Sequence, residues 1–466
     1  MADSSYTSRV KVQSTLTAVS SKPVGAGQAY KLSVRDHAMG GHSVHLIFYY
    51  RDIPFGTFDL DPLRVSLSET LSLYPPATGR LARDGNGNWE VKWSDAGIRV
   101  LQAKVGASLD EWLRSADGIE ERDLTVWEDM PQDPHIWSPF RIQISEFEGG
   151  GVAMGLSCTH LHADLTTAAR LFQSWSQVHR RVPVRHPPRF PDSPPAPLRS
   201  PTHPDSLLPD SPSVSPPSFT SSAQMSSSTF KFSDQTMAGL VSEVSELCPD
   251  ATPFDVVAAL FWTRIIELKQ PRNSRGRWIA KIAVDTRGVL REKLPLGFFG
   301  NAMQFSPVEA LSEDGNGCEL WQTVKLVHDC VLGIQEGENR SASEQFESRK
   351  EDGGARFVSS AKAYGPQLTI VSMEHMAGDA SVGGGRWSEM YEAMFVDGER
   401  PIHVSVGVGN AKGEGLIMVV PEEGLGRSVT VVLPEEEAAR LHEDQEVLKL
   451  EPTVILSGQH NNNSRF

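Results

Sequence analysis

The spacing of apolar residues changes period several times along this 466-residue chain. GGVAMGLSCTH, ending at His160, is a small and uninterrupted apolar run that predicts a buried strand. ADLTTAARLFQSWSQVHRR then shifts to helical spacing. Leu165, Ala168, Ala169, Phe172 and Trp175 form one stripe, and Asp164 stands at the N-cap. His160 therefore falls where a strand gives way to a helix. Further on, FKFS predicts a strand. ATPFDVVAALFWTRIIELK predicts a helix, with Thr252 as cap and Pro253 in its first turn. WIAKIAVDTR, GEGLIMVVP and RSVTVVLP read as strands, and PEEEAARLHEDQ as a short helix. The glycines from Gly407 to Gly415 lack the context of a nucleotide-binding loop and read as a hairpin turn. Both halves mix sheet with helix, which predicts an α/β protein.

Between the halves, residues 183–228 are rich in proline and serine and nearly free of large apolar side chains. Such a stretch cannot bury enough surface to offset its ordering entropy. It is expected to be an exposed crossover linker between a domain at 1–182 and a second at 229–455.

Acidic residues outnumber basic ones, 59 to 44, for a formal charge of −15. That excess argues against nucleic acid and requires a local basic patch for any polyanionic ligand. Cys158, Cys248, Cys318 and Cys330 form no C-x-x-C pair and read as buried, reduced thiols. The opening residues lack an apolar signal core, and no run reaches the roughly 18–20 apolar residues of a spanning helix. A cytoplasmic protein with no transmembrane segment is expected.

A neutral imidazole at a strand end can take a proton from an alcohol or thiol, the step that acyl transfer from a thioester needs. His160 and Asp164 form H-x-x-x-D, but in a chain with fourteen histidines that motif alone is weak, and a structural histidine is the commoner outcome. His162 would point to the opposite face of an extended segment. The H-x-H pair shows no third metal ligand, so no metal is expected. A serine hydrolase is excluded for want of a G-x-S-x-G elbow.

Several ordered blocks add weight. LSETLSLYPPATGRLAR, PFRIQISEFEGGGVAMGLSCTHLHAD, TPFDVVAALFW and VDTRGVLREKLPLGFFGNA run from Leu67 to Ala302. In this order they resemble the plant CoA-dependent acyltransferases with a His-x-x-x-Asp motif, the BAHD family. The resemblance implies two chloramphenicol-acetyltransferase-like domains with a channel between them, CoA and acceptor entering from opposite faces. It implies His160 as general base, and Asp164 turned away to pair with Arg287 of the Val-Asp-x-Arg block. It also implies acyl-CoA as cosubstrate with no tightly bound cofactor. Lys281, Arg291 and Lys293 are the candidates for CoA phosphate contact.

The family's second signature, Asp-Phe-Gly-Trp-Gly, is degenerate here. MFVDGERP retains Phe395 and Gly398, but Met394 stands where the aspartate would be and the tryptophan is missing. Leu165 also follows Asp164 where glycine is commoner. AMGGHSVHLIFYYRD, SDAGIRVLQAKVGASLDEWL and MYEAMFVDGERP followed by VVPEEGLGRSVTVVLPEEEAARL resemble the Eceriferum and Glossy wax proteins, a subgroup that keeps the fold and lacks this signature. That likeness implies assistance to a condensing enzyme elongating very-long-chain fatty acids, with a peripheral place at the endoplasmic reticulum. Two readings stay open, an accessory protein of elongation and a working O- or N-acyltransferase.

Overall fold

The computed structural model describes residues 7–25, 27–52, 60–190, 224–269, 276–288, 294–312, 319–336, 363–378, 387–456 and 458. Residues 191–223, most of the expected linker, lie outside that set. So do Cys318, Arg291 and Lys293.

The strands form two large sheets. A six-stranded sheet runs in the order Val10–Ala18, Ile98–Val105, Phe140–Phe147, Val152–Thr159, Ser43–Tyr50 and His403–Gly409. A seven-stranded sheet runs Met303–Ser312, Gly276–Asp285, Leu368–Ser372, Leu416–Pro421, Arg427–Pro434, Met225–Phe232 and Thr453–Ile455. The architecture is therefore mixed α/β in two bodies.

The exchange of one strand ties the bodies together. His403–Gly409, from the second half of the chain, pairs antiparallel with Ser43–Tyr50, His403 opposite Tyr49 and Gly409 opposite Ser43. The next strand, Leu416–Pro421, belongs to the other sheet, where it pairs with Leu368–Ser372 and Arg427–Pro434. The glycines from Gly407 to Gly415 are thus no hairpin, as their spacing suggested, but a crossing from one sheet to the other. The crossing is tight: at Gly413, with φ of +101°, a Cβ would lie 2.3 Å from the Pro366 carbonyl oxygen. Only glycine tolerates both that backbone and that contact.

One apolar cluster extends across the halves. It joins Leu46, Phe48, Leu156 and Phe172 to Phe299, Phe305, Met373, Tyr391 and Met418. A second lies within the C-terminal body, around Phe261, Trp262, Ile282 and Ile417. The expected linker also ends early. Met225–Ser228, inside the Ser-rich run, is already strand and pairs with Val431–Pro434. The consecutive serines Ser226–Ser228 fit a ladder whose bonds come from the main chain.

The helix Leu165–His179 carries the apolar stripe that its spacing predicts, yet it is buried on every side from Leu165 to Ser176. Its polar positions reach across the interface. The Thr166 hydroxyl donates to Asp285 at 2.7 Å, Arg170 pairs with Glu389, and Gln173 donates to the Glu389 carbonyl. A helix lying between two bodies needs a partner for each polar residue.

Candidate active site

The strand Val152–Thr159 ends at a turn in which the His162 amide donates to the Thr159 carbonyl at 3.0 Å. The His160 amide donates to the His42 carbonyl at 2.9 Å, which fixes its backbone against the neighbouring chain segment. Asp164 has extended backbone (φ −95°, ψ 178°) and accepts from the Thr167 amide at 2.8 Å, starting the following helix. These five residues turn two side chains of the motif in different directions.

Asp164 meets Arg287. The guanidinium donates from Nη1 to Oδ2 at 2.9 Å and from Nη2 to Oδ1 at 3.0 Å, and neither side chain touches solvent. Arg287 also donates to Asp285, to the Thr167 hydroxyl at 2.9 Å, and to the carbonyls of Phe298 at 3.1 Å and Gly300 at 2.8 Å. The Ala302 amide completes Asp164 with a bond of 2.8 Å. Burial pushes the Asp285 carboxyl up, but Arg287 and then His375 outweigh it and hold it down to about 2. The network is one cation between two carboxylates, with the partial positive charge of a helix N-terminus behind Asp164.

His160 is 1% exposed and lies among neutral groups. Its Nδ1 is 2.9 Å from Asn301 Oδ1, and its Nε2 is 2.9 Å from the Tyr364 hydroxyl. The network assigns the protons. Asn301 Nδ2 lies 2.7 Å from Asp36 Oδ1 and 2.9 Å from the His160 carbonyl, both acceptors, so Asn301 presents its oxygen to the imidazole. Nδ1 therefore carries the proton and donates to Asn301, while Nε2 keeps its lone pair and accepts from Tyr364. Burial pulls the imidazole down to about 4, against the attraction of Asp164, so it is neutral at pH 7.

Three contributors to this site were not singled out from the sequence. Asn301 stands in the Phe-Gly-Asn-Ala block, where a signal was available. Asp36 is the capping-box residue of the short helix Val34–Ala38, and Tyr364 follows a polar stretch with no pattern. Lys281, a candidate for phosphate contact, turns inward. Its Nζ donates to the carbonyls of Ala363 and Gly365, each at 2.9 Å, and burial lowers it to about 8. It holds both flanks of Tyr364 in place of facing a ligand. Arg291 and Lys293 lie outside the described residues.

His162 is fully buried, edge-on to Phe140 and Phe299 at ring separations of 5.2 and 5.5 Å. Among the described residues neither ring nitrogen meets a partner, and no cluster of His, Cys, Asp and Glu could hold a metal. Cys158, Cys248 and Cys330 are free and buried. The relics of the second signature have structural places. Phe395 packs 4.9 Å from Trp175 and 5.6 Å from His179, and Gly398 makes a turn at φ of +83°.

The chain is similar over most of its length to several known proteins. Protein ECERIFERUM 2 of Arabidopsis thaliana is 23% identical over 90% of this chain and 94% of its own length. The shikimate O-hydroxycinnamoyltransferase of Nicotiana tabacum is 25% identical over 80% and 85%. Among solved structures, vinorine synthase superposes with a TM-score of 0.67 at 17% identity, covering 95% of this chain and 98% of that one. TRI101 of F. graminearum, solved with coenzyme A and deoxynivalenol, gives 0.66 at 13% identity over 92% and 100%. The sequence profile described as the transferase family matches residues 8–448, and the chain therefore belongs to that family, the BAHD acyltransferases.

Proposed function

We propose that this chain is an accessory protein of very-long-chain fatty-acid elongation, acting beside a condensing enzyme in cuticular wax formation. The Eceriferum and Glossy likeness supplies the role, together with a peripheral place at the endoplasmic reticulum. No helix among the described residues is long and apolar enough to cross a membrane. The observation that carries the reading is the filled position at His160, whose lone pair is taken by the chain's own Tyr364. A transferase needs that lone pair for its acceptor. The test is product analysis of cells making a very-long-chain condensing enzyme with and without this protein. Longer acyl chains only when both are present support the role, and unchanged lengths count against it.

A second reading, acyl-CoA-dependent transfer to an O- or N-acceptor, is favoured by the protonation of His160. With Nδ1–H held by Asn301, Nε2 is the unprotonated nitrogen, available as a base once Tyr364 moves aside. It would take the acceptor's proton as the acceptor attacks the thioester carbonyl, and would return it to the departing CoA sulfur. His160→Ala separates the two. Removing a general base costs typically 10² to 10⁴ in rate, whereas assistance to a partner enzyme should survive in a folded variant.

A further inference from the structure

Any nucleophile activated by His160 has to bring its hydroxyl or amine to about 2.6–3.2 Å from Nε2. The Tyr364 hydroxyl is there already, at 2.9 Å. The phenol ring closes the approach as well. It is buried, and it packs against Phe305 at 5.5 Å and His42 at 5.1 Å between ring centroids. His42 in turn donates from Nδ1 to the Gly409 carbonyl at 3.2 Å. Gly409, Asn410 and Lys412 line a cavity of about 380 Å³ that also touches Trp127 and His45. Contacts link that cavity to the site through Gly409, His42, Tyr364 and His160.

The tyrosine is also held from behind. Lys281 reaches from the strand Gly276–Asp285 to the carbonyls on both sides of Tyr364, and the Lys412 backbone lies against Gly365. An ammonium bound to two carbonyls in a half-buried place fixes a loop more firmly than a neutral pair, because charge-assisted bonds are the stronger kind.

We propose that Tyr364 is the specificity-determining residue of this site. Its phenol stands in for the acceptor, latched by Lys281, and denies the imidazole to small alcohols, amines and water. Only a ligand able to displace the ring would reach His160. The inference shares with the accessory reading the occupied His160, but its test does not involve elongation, so the two can fail separately.

The measurement is the rate at which diethylpyrocarbonate modifies each histidine of the full chain, read by mass spectrometry. In the wild type, His160 should react at least about tenfold more slowly than His135, whose side chain is 65% exposed. Tyr364→Ala should raise the His160 rate by about tenfold or more, and Tyr364→Phe should leave it slow because the ring still fills the space. Lys281→Met removes the two bonds to the carbonyls flanking Tyr364 and should raise the rate by releasing the loop, which a merely buried histidine would not show. His162, fully buried against Phe140 and Phe299, is the internal control for folding. Fast labelling of wild-type His160 overturns the proposal, as does a His160 that stays slow in Tyr364→Ala. Should Tyr364→Ala expose His162 too, Lys281→Met decides: selective labelling of His160 supports the latch, and continued protection rejects it.

Discussion

The two ends of the H-x-x-x-D motif are four residues apart and equally buried, yet they are opposite kinds of site. The Asp164 end is ionic and saturated. Asp164 accepts four bonds, and Arg287 spends its nitrogens on two carboxylates, a hydroxyl and two carbonyls. The His160 end is neutral and minimal, an imidazole with one partner on each nitrogen. The first joins the motif's helix to Asp285 and to Phe298–Ala302 of the second half, so it is a requirement of the fold. Its presence is compatible with either function. The second end, where Tyr364 meets His160, is what separates the two readings.

The largest expected effect breaks the ionic end. Arg287→Met leaves Asp164 and Asp285 buried without their cation, and removing one partner of such a network costs roughly 3–5 kcal/mol. Asp164→Asn should cost less, because Arg287 keeps Asp285. The urea midpoint of each variant measures this, with Arg277→Met, at an exposed pair, as control. A midpoint for Arg287→Met no lower than the control would mean that the network is solvated and the contrast is false.

Acid sharpens the contrast, because the two ends should fail in different pH windows. Asp285 has its pKa held down to about 2, so its contribution is fully present above its ordinary value near 4 and is lost as pH falls through 2. His160 is also depressed, to about 4, by burial. Below its ordinary value of about 6.5 the unfolded chain takes up a proton that the folded chain refuses, so stability is lost as pH falls from 6.5 toward 4. His45 and His162, pulled by burial to about 3, act in the same sense. Each should remove about 1–2 kcal/mol between pH 7 and pH 5. Urea midpoints across that range should fall steadily. A flat profile would show that these imidazoles are charged or solvated in the folded protein.

Local features of both ends were legible in the sequence. The strand-to-helix change at His160, the Asp164 cap and the Thr252 cap each depend on residues a few positions apart. Asp255 indeed closes a box with Thr252, accepting from its amide and its hydroxyl at 2.8 Å. The Arg287 partnership came through the family likeness. The strand exchange was not legible, because His403–Gly409 finds its partner at Ser43–Tyr50 and local glycine spacing carries no record of so distant a pairing. Tyr364 was missed for the same kind of reason. It reaches His160 from 204 positions along the chain, with no periodic pattern ahead of it. Lys281 shows the converse error, since a basic residue in an acidic chain suggests an anion but can equally serve main-chain carbonyls.

The smallest expected effect concerns His162, which separates burial from function at the neutral end. It lies two residues from His160 in the same turn and is as deeply buried, but its nitrogens meet no protein partner among the described residues. A desolvated polar side chain without a hydrogen bond costs about 1–3 kcal/mol. His162→Leu removes that cost and the proton uptake below pH 6.5. Against this stands the loss of edge contacts with Phe140 and Phe299, about 0.5–1.5 kcal/mol. The balance at pH 7 should be a gain of roughly 1 kcal/mol or less, and at pH 5 the gain should widen as protonation of the unfolded wild type takes effect. Paired urea melts of wild type and His162→Leu at the two pH values read both. A variant that loses stability at pH 5 would mean that His162 has a partner worth keeping, and the distinction between a placed imidazole and a merely buried one would have to be redrawn.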